Sequence, residues 1–122
     1  MPPKITVNNL INLYNKGYFK AVVEQTQTLT KQYPKVFMFW NILGASSFQL
    51  GKLEKAIEAY ENALLLNPNS YQVYSNLGVA LKDQGEHEKA IEFIKKALKL
   101  NPNFIEAHFN MGIVFKEQNK LE

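Results

Sequence analysis

The chain has 122 residues, 46% hydrophobic and 20% charged, with a formal net charge of +3, no cysteine and no arginine. That length suits a single domain, and the absence of cysteine removes disulfides, thiolate catalysis and cysteine-rich zinc sites and fits a reducing compartment, which makes the cytoplasm the expected location. Residues 1–36 carry five lysines against Glu24 while residues 37–122 carry nine lysines against ten acids, and without the bidentate arginine fork that grips phosphate or guanine, nucleic acid is not an expected partner.

The opening Met1-Pro2-Pro3-Lys4-Ile5 leads to Asn8 and Asn9 without the apolar run of about 7–15 residues that a secretory signal needs, so no leader or membrane span is expected. Thr6 is the expected cap of a first helix running to about Lys16, with Val7, Leu10, Ile11 and Tyr14 at helical spacing and Gly17 ending it. A second helix, about Tyr18 to Tyr33, carries Phe19, Val22, Val23 and Leu29 around a middle, Gln25-Thr26-Gln27-Thr28, of low helix propensity, and Pro34 closes it. Next come a helix from about Lys35 to Leu50, a turn at Gly51-Lys52 where glycine releases the chain, and a helix from Leu53 to Leu66. Asn67-Pro68-Asn69 forbids continuation and offers Asn69 or Ser70 as the next cap. The pattern repeats in Ser70–Gln84, His87–Leu100 and Phe104 to about Gln118, giving about seven helices.

These helices fall on a fixed period. Trp40-x-x-Leu43-Gly44, Gly51, Ala56-x-x-x-Tyr60, Ala63 and Pro68 recur 34 residues later as Tyr74-x-x-Leu77-Gly78, Gly85, Ala90-x-x-x-Ile94, Ala97 and Pro102. A further step gives His108-x-x-Met111-Gly112 with Asn119 in the place of Gly51, and a step back gives Gly17 and Pro34. In the first unit, Gly17 to Val22 reads one residue shorter than Gly51 to Ile57, with Leu29 to Tyr33 restoring the phase before Pro34. A constant period of this size marks a stacked repeat. The motif resembles the tetratricopeptide repeat family, and the resemblance implies an all-α, right-handed α-solenoid of helix-turn-helix repeats. It divides residues 1–122, a single repeat domain, into a degenerate repeat 1–36, repeats 37–70 and 71–104, and a truncated repeat 105–122 holding a first helix only.

Gly44, Gly78 and Gly112 lie inside helices, where each costs about 1 kcal/mol relative to alanine, so an offsetting contact is expected. Close approach of the paired helix, through Ala56 and Ala63 or Ala90 and Ala97, is the expected cause.

No phosphate-binding glycine loop, histidine pair at metal spacing or serine nucleophile elbow occurs, so neither an enzyme, a cofactor nor a metal site is expected. His108 takes the place of Trp40 and Tyr74 and reads as a partly buried packing ring; His87 reads as a solvated turn residue. The acid pairs Glu54/Glu58 and Glu88/Glu92 lie among lysines as surface patterning.

At about 100° per residue, Trp40, Leu43, Gly44 and Ser47 point toward the paired helix and Met38, Ile42, Ala45 and Gln49 point away. The resemblance makes the second face the lining of a concave groove. Its candidate residues are Asn8, Asn41, Ile42, Gln72, Asn76, Val79, Lys82, Asn110, Ile113 and Lys116. Asn8, Asn76 and Asn110 form a column, interrupted by Ile42, whose amides can pair with the peptide groups of an extended chain; amide columns recur in arrays of this family. Bridging between adjacent helices is the competing role for them. The family's carboxylate clamp needs cations where this chain has Asn41, Ser75, Gln72, Asn76, Glu106 and Asn110, so only Lys82 and Lys116 at the rim favour an acidic ligand.

The reading is a non-catalytic protein-interaction module holding an extended peptide or partner segment. Two alternatives stand beside it: the N-terminal array of a larger enzyme, since repeats of this style precede glycosyltransferase or sulfotransferase domains, and a self-assembly module. For the latter, Met111 and Phe115 on the last helix are the expected contacts of a weak homodimer through the C-terminal end.

Overall fold

Three glycines set the rhythm of the helices. Gly17, Gly51 and Gly85 have φ of +84°, +73° and +87°, the left-handed region open to residues without a Cβ. Each completes the same hydrogen-bonded reversal, in which the glycine N–H and the next N–H bond back to two carbonyls of the last helical turn, as in Gly51 to Phe48 and Lys52 to Ser47, both 2.9 Å. The computed structural model describes residues 4–121. These form seven α-helices: α1 Lys4–Asn15, α2 Phe19–Gln32, α3 Phe37–Gln49, α4 Leu53–Leu66, α5 Tyr71–Asp83, α6 His87–Leu100 and α7 Ile105–Leu121. The second helices end alike: Tyr33, Asn67 and Asn101 all leave the helical region at ψ of 69°, 87° and 89°, because each precedes a proline whose ring disfavours helical geometry.

The expected bounds of α4 and α6 hold, and Ser70 caps α5, its hydroxyl accepting from Val73 N–H at 3.4 Å. Three expectations need correction. Helix α1 begins at Lys4, so Thr6 lies inside it and caps nothing. The second helices start at Phe19, Leu53 and His87, spaced by one period, so the first unit has no missing residue and Val22 stands in the place of Ala56 and Ala90. Finally, α7 runs through Asn119 to Leu121: no non-glycine residue among those described takes a positive φ, and asparagine in the glycine's place stays helical.

The low-propensity middle of α2 is helical nonetheless, with its hydroxyls bonded back into the helix and Thr26 buried in the core. Thr26 Oγ1, fully buried, donates to the Val22 carbonyl at 2.7 Å, and Thr30 Oγ1 to Gln27 at 3.1 Å.

The chain falls into two compact units, Met1–Asn67 and Pro68–Glu122. In the first, Leu10, Val22, Phe39 and Ile42 form the core, with Val7, Leu13, Tyr14 and Leu29 packed on it, and a second cluster joins Val23, Leu43, Ala59 and Trp40. In the second, Val73, Leu77, Ile94, Ala107 and Val114 are buried.

Close approach explains two of the three in-helix glycines. A Cβ at Gly44 would fall 2.6 Å from Tyr60 Cε1, and one at Gly78 would fall 2.5 Å from Ile94 Cγ1 and 3.1 Å from the Ala90 carbonyl oxygen. The glycine therefore seats a large side chain, Tyr60 or Ile94, rather than the alanines alone, though Ala56, Ala63, Ala90 and Ala97 are all fully buried beside it. Burying such a side chain contributes about 1.5–3 kcal/mol, more than the helix cost of the glycine. Gly112 is different: nothing lies within 4 Å of where its Cβ would be. No second helix pairs with α7 among the described residues, so the contact that the period implies has no counterpart there.

The first unit solves the same packing problem with the sizes exchanged. Leu10 holds the position of Gly44 and Gly78, Thr26 that of Tyr60 and Ile94, and both are fully buried. Gly78→Leu should lower stability by about 2 kcal/mol or more through overpacking, whereas Gly112→Ala should hold it or raise it by up to about 1 kcal/mol through helix propensity alone. Thermal melts of the two variants measure the contrast, and equal losses would remove the close-contact explanation.

Candidate functional site

The residues singled out for binding lie on the first helices, α1 and α3 in one unit and α5 and α7 in the other, and the pairs α1–α3 and α5–α7 are neighbours. In the first unit Asn8 is exposed on α1, and Asn41 is half-buried on α3. Ile42 is not part of an open face: it is buried against Leu10, Val22 and Phe39, because α1 covers the side of α3 that points away from α4. Between the two helices Gln49 Nε2 donates to Tyr14 Oη at 3.5 Å.

In the second unit Gln72 is exposed, Asn76 and Val79 are half-buried on α5, Asn110 and Ile113 are half-buried on α7, and Lys116 is exposed. Asn110 bridges helices, its Nδ2 donating to Ser75 Oγ on α5 at 3.0 Å. Ser75 is fully buried, so this bond satisfies a hydroxyl that has left water. The side chain of Asn76 makes no such bond among the described residues. The amide column is therefore not uniform: Asn110 is a structural tie, and Asn76 has no such tie among the described residues.

The two rim lysines also differ. Lys82 is 15% exposed, with Nζ 3.0 Å from Asp83 Oδ1 and 3.8 Å from Glu117 Oε1. Its charge is thus largely answered within the unit, which leaves it little pull on an acidic ligand. Lys116 is exposed without an ion pair among the described residues, and it is the free cation of this face.

Both histidines exchange their expected settings. His87 is tucked in, 12% exposed, with Nε2 3.6 Å from Glu117 Oε2 and Nδ1 3.1 Å from the Gly85 carbonyl. His108 is exposed, and its Nε2 lies 2.8 Å from the Pro102 carbonyl. Trp40 Nε1 donates to the Pro34 carbonyl at the same 2.8 Å. A ring nitrogen at this position thus ties α3 and α7 to the proline that ends the helix before each. In the intervening repeat Tyr74, which has no ring N–H, instead stacks on Phe93 at 6.2 Å. No group of three or more metal-ligating side chains gathers among the described residues, and no helix there is long and apolar enough to cross a membrane.

Of the two residues expected to mediate self-association, Met111 is half-buried and Phe115 is 44% exposed. Sequence reasoning passed over the larger exposed side chains on the same helix, Ile105 at 81% and Phe109 at 68%. The spacing Ile105, His108, Gly112, Phe115, which continues one helical stripe, was the available signal.

A succession of helix pairs on a 34-residue period, two of them locked by glycine seats, defines a helical-repeat protein. The chain belongs to the tetratricopeptide repeat family: tetratricopeptide repeat models match residues 18–64, 71–104 and 93–122, and a TPR repeat model matches residues 44–85. No curated protein sequence matches it. Among solved structures, the crystal structure of MamA superposes with a TM-score of 0.85 over 93% of this chain at 26% identity; the chain spans 68% of that MamA and 64% of another. The first TPR of Spaghetti (RPAP3), bound to an HSP90 peptide, superposes with a TM-score of 0.88 at 18% identity, covering 94% of this chain and 91% of that one. The Yersinia enterocolitica type III secretion chaperone SycD, in complex with a peptide of the translocator YopD, gives 0.83 at 17% identity over 92% and 91%.

Asn110→Ala should destabilise the second unit by about 1–3 kcal/mol, since it strands the buried Ser75 hydroxyl, and Ser75→Ala in that background should recover part of the loss. Urea denaturation of the two single variants and the double variant reads this, and strictly additive losses would deny the bond its role.

Proposed function

We propose that the chain is a non-catalytic protein-interaction module that holds an extended peptide segment against the first helices of its repeats. The observation that carries this reading is Asn76, a half-buried side-chain amide on α5 without a partner among the described residues, with half-buried Val79 one turn on and exposed Gln72 one turn back. An amide offers both donor and acceptor to a passing peptide group, and asparagine is otherwise a mediocre choice inside a helix. Ile113 on α7 adds apolar floor, and exposed Lys116 adds one cation. The fold's relatives support the class of ligand: the RPAP3 repeat carries an HSP90 peptide and SycD a YopD peptide.

The ligand differs from one gripped by its terminal carboxylate. With Lys82 held between Asp83 and Glu117, the face has too few free cations for a carboxylate clamp, so recognition runs through the peptide backbone and apolar side chains. Within the first unit Asn8 and Asn41 offer the same amide chemistry on α1 and α3, while Ile42 there and Asn110 in the second unit serve packing. Membership of a larger enzyme as its N-terminal array is compatible with this role and adds no residue to it.

Peptides selected from a displayed random library should bind the parent, and Asn76→Ala should weaken the selected peptide by about 2–12-fold, the equivalent of one hydrogen bond worth about 0.5–1.5 kcal/mol. The helical circular dichroism should be unchanged. Failure to select any peptide, or equal affinity in the variant, would refute the role given to Asn76.

A further inference from the structure

The space above the ring at one repeat position is filled in the second unit and open in the first. In the second unit Phe93 stacks on Tyr74 with ring centroids 6.2 Å apart and planes 15° from parallel, and Lys96 Nζ lies 5.5 Å from the Tyr74 centroid. One period earlier Trp40 takes the place of Tyr74, Ala59 that of Phe93 and Asn62 that of Lys96. Neither covering group exists at Trp40, and a cavity of about 310 Å³ opens beside it between α2 and α4. Leu43 and Ala59 floor the cavity next to the indole, Thr30 walls it on the α2 side, and Lys31, Lys55 and Glu58 stand exposed at its rim. The indole is held in place by its Nε1, which donates to the Pro34 carbonyl at 2.8 Å.

We propose that this cavity is a docking site for a partner protein, taking the aromatic side chain of an acidic segment into the space that Phe93 fills in the next repeat. The next repeat identifies the ring: its equivalent position accommodates a phenylalanine stacked on a large aromatic residue, and such ring pairs are favourable beyond the area they bury. Charge identifies the neighbours of that ring. Lys31 on α2 and Lys55 on α4 bracket the cavity without ion pairs among the described residues, against Glu58 alone. The imbalance extends to the whole unit, since residues 1–67 hold seven lysines against four acids while residues 68–122 hold seven of each. An acidic segment is thus drawn to this unit, and its aromatic residue fixes the register by entering the cavity. The site lies on α2, α4 and the Trp40 side of α3, so it is separate from the Asn76 face on α5 and does not depend on it.

Trp40 is the single tryptophan of the chain, so its fluorescence reports on the cavity directly. Titration with the synthetic peptide Asp-Glu-Phe-Glu-Asp should change its emission saturably, and Asp-Glu-Ala-Glu-Asp should bind at least about tenfold more weakly. Ala59→Phe, which copies the next repeat, should abolish the response while keeping the helical circular dichroism. Lys31→Glu combined with Lys55→Glu, both exposed, should weaken the phenylalanine peptide at least about tenfold without lowering the melting temperature. Asn76→Ala should leave the response unchanged, which separates this site from the peptide-binding face. Should Ala59→Phe not fold, the lysine variant decides alone. The proposal would be overturned by the absence of a saturable change in the parent, by equal affinity for the alanine peptide, or by undiminished binding in the folded Ala59→Phe protein or the lysine variant. Free N-acetylphenylalanine binding as tightly as the peptide would overturn it too, by making the occupant a small aromatic acid.

Discussion

The structure depends on one recurring contact, a glycine in a first helix that receives a large side chain of the second. Gly78 takes Ile94, and Gly44 takes Tyr60, at separations that leave no room for a single added carbon. Helix propensity opposes glycine at those positions, so the burial it permits must exceed that cost, and it does so by drawing the paired axes together over fully buried alanines. The other periodic features serve the pairing. The left-handed glycines at 17, 51 and 85 set the reversal that makes the two helices antiparallel neighbours, and the prolines at 34, 68 and 102 end the second helix.

What the period left open is how each position is filled. The bounds of α4 and α6 could be read from the sequence because each helix is punctuated on both sides, by a glycine two residues before its start and a proline two after its end. Register in the first unit was misread because Val22 was sought as an alanine; with Leu10 large and Thr26 small, that unit inverts the size pattern of the others and presents no glycine to recognise. The end of α7 was placed early because Asn119 aligned with a turn glycine, while an asparagine without the demand for a left-handed turn simply continues the helix.

The candidate site was less legible than the fold, and for a physical reason. Helical projection tells which way a side chain points from its own axis; it does not tell what stands there. Ile42 points away from α4 and is nonetheless core, since α1 lies on that side. Asn110 points the same way and finds Ser75, and His87 finds Glu117, so both turn inward, while His108 keeps only the Pro102 carbonyl and stays exposed. Asn76 is left half-buried without a side-chain hydrogen bond among the described residues, which sets it apart from Ile42 and Asn110 at the equivalent positions.

The glycine seat is tested most directly by coupling it to its occupant. In the parent, Gly78→Ala should be destabilising, because the new methyl meets Ile94 Cγ1. In an Ile94→Ala background, which itself should cost about 2–5 kcal/mol, the same Gly78→Ala change should become neutral or stabilising, giving a coupling energy of at least about 1 kcal/mol in a urea-denaturation cycle. Gly78→Ala losses that are the same with and without the Ile94 side chain would contradict the account.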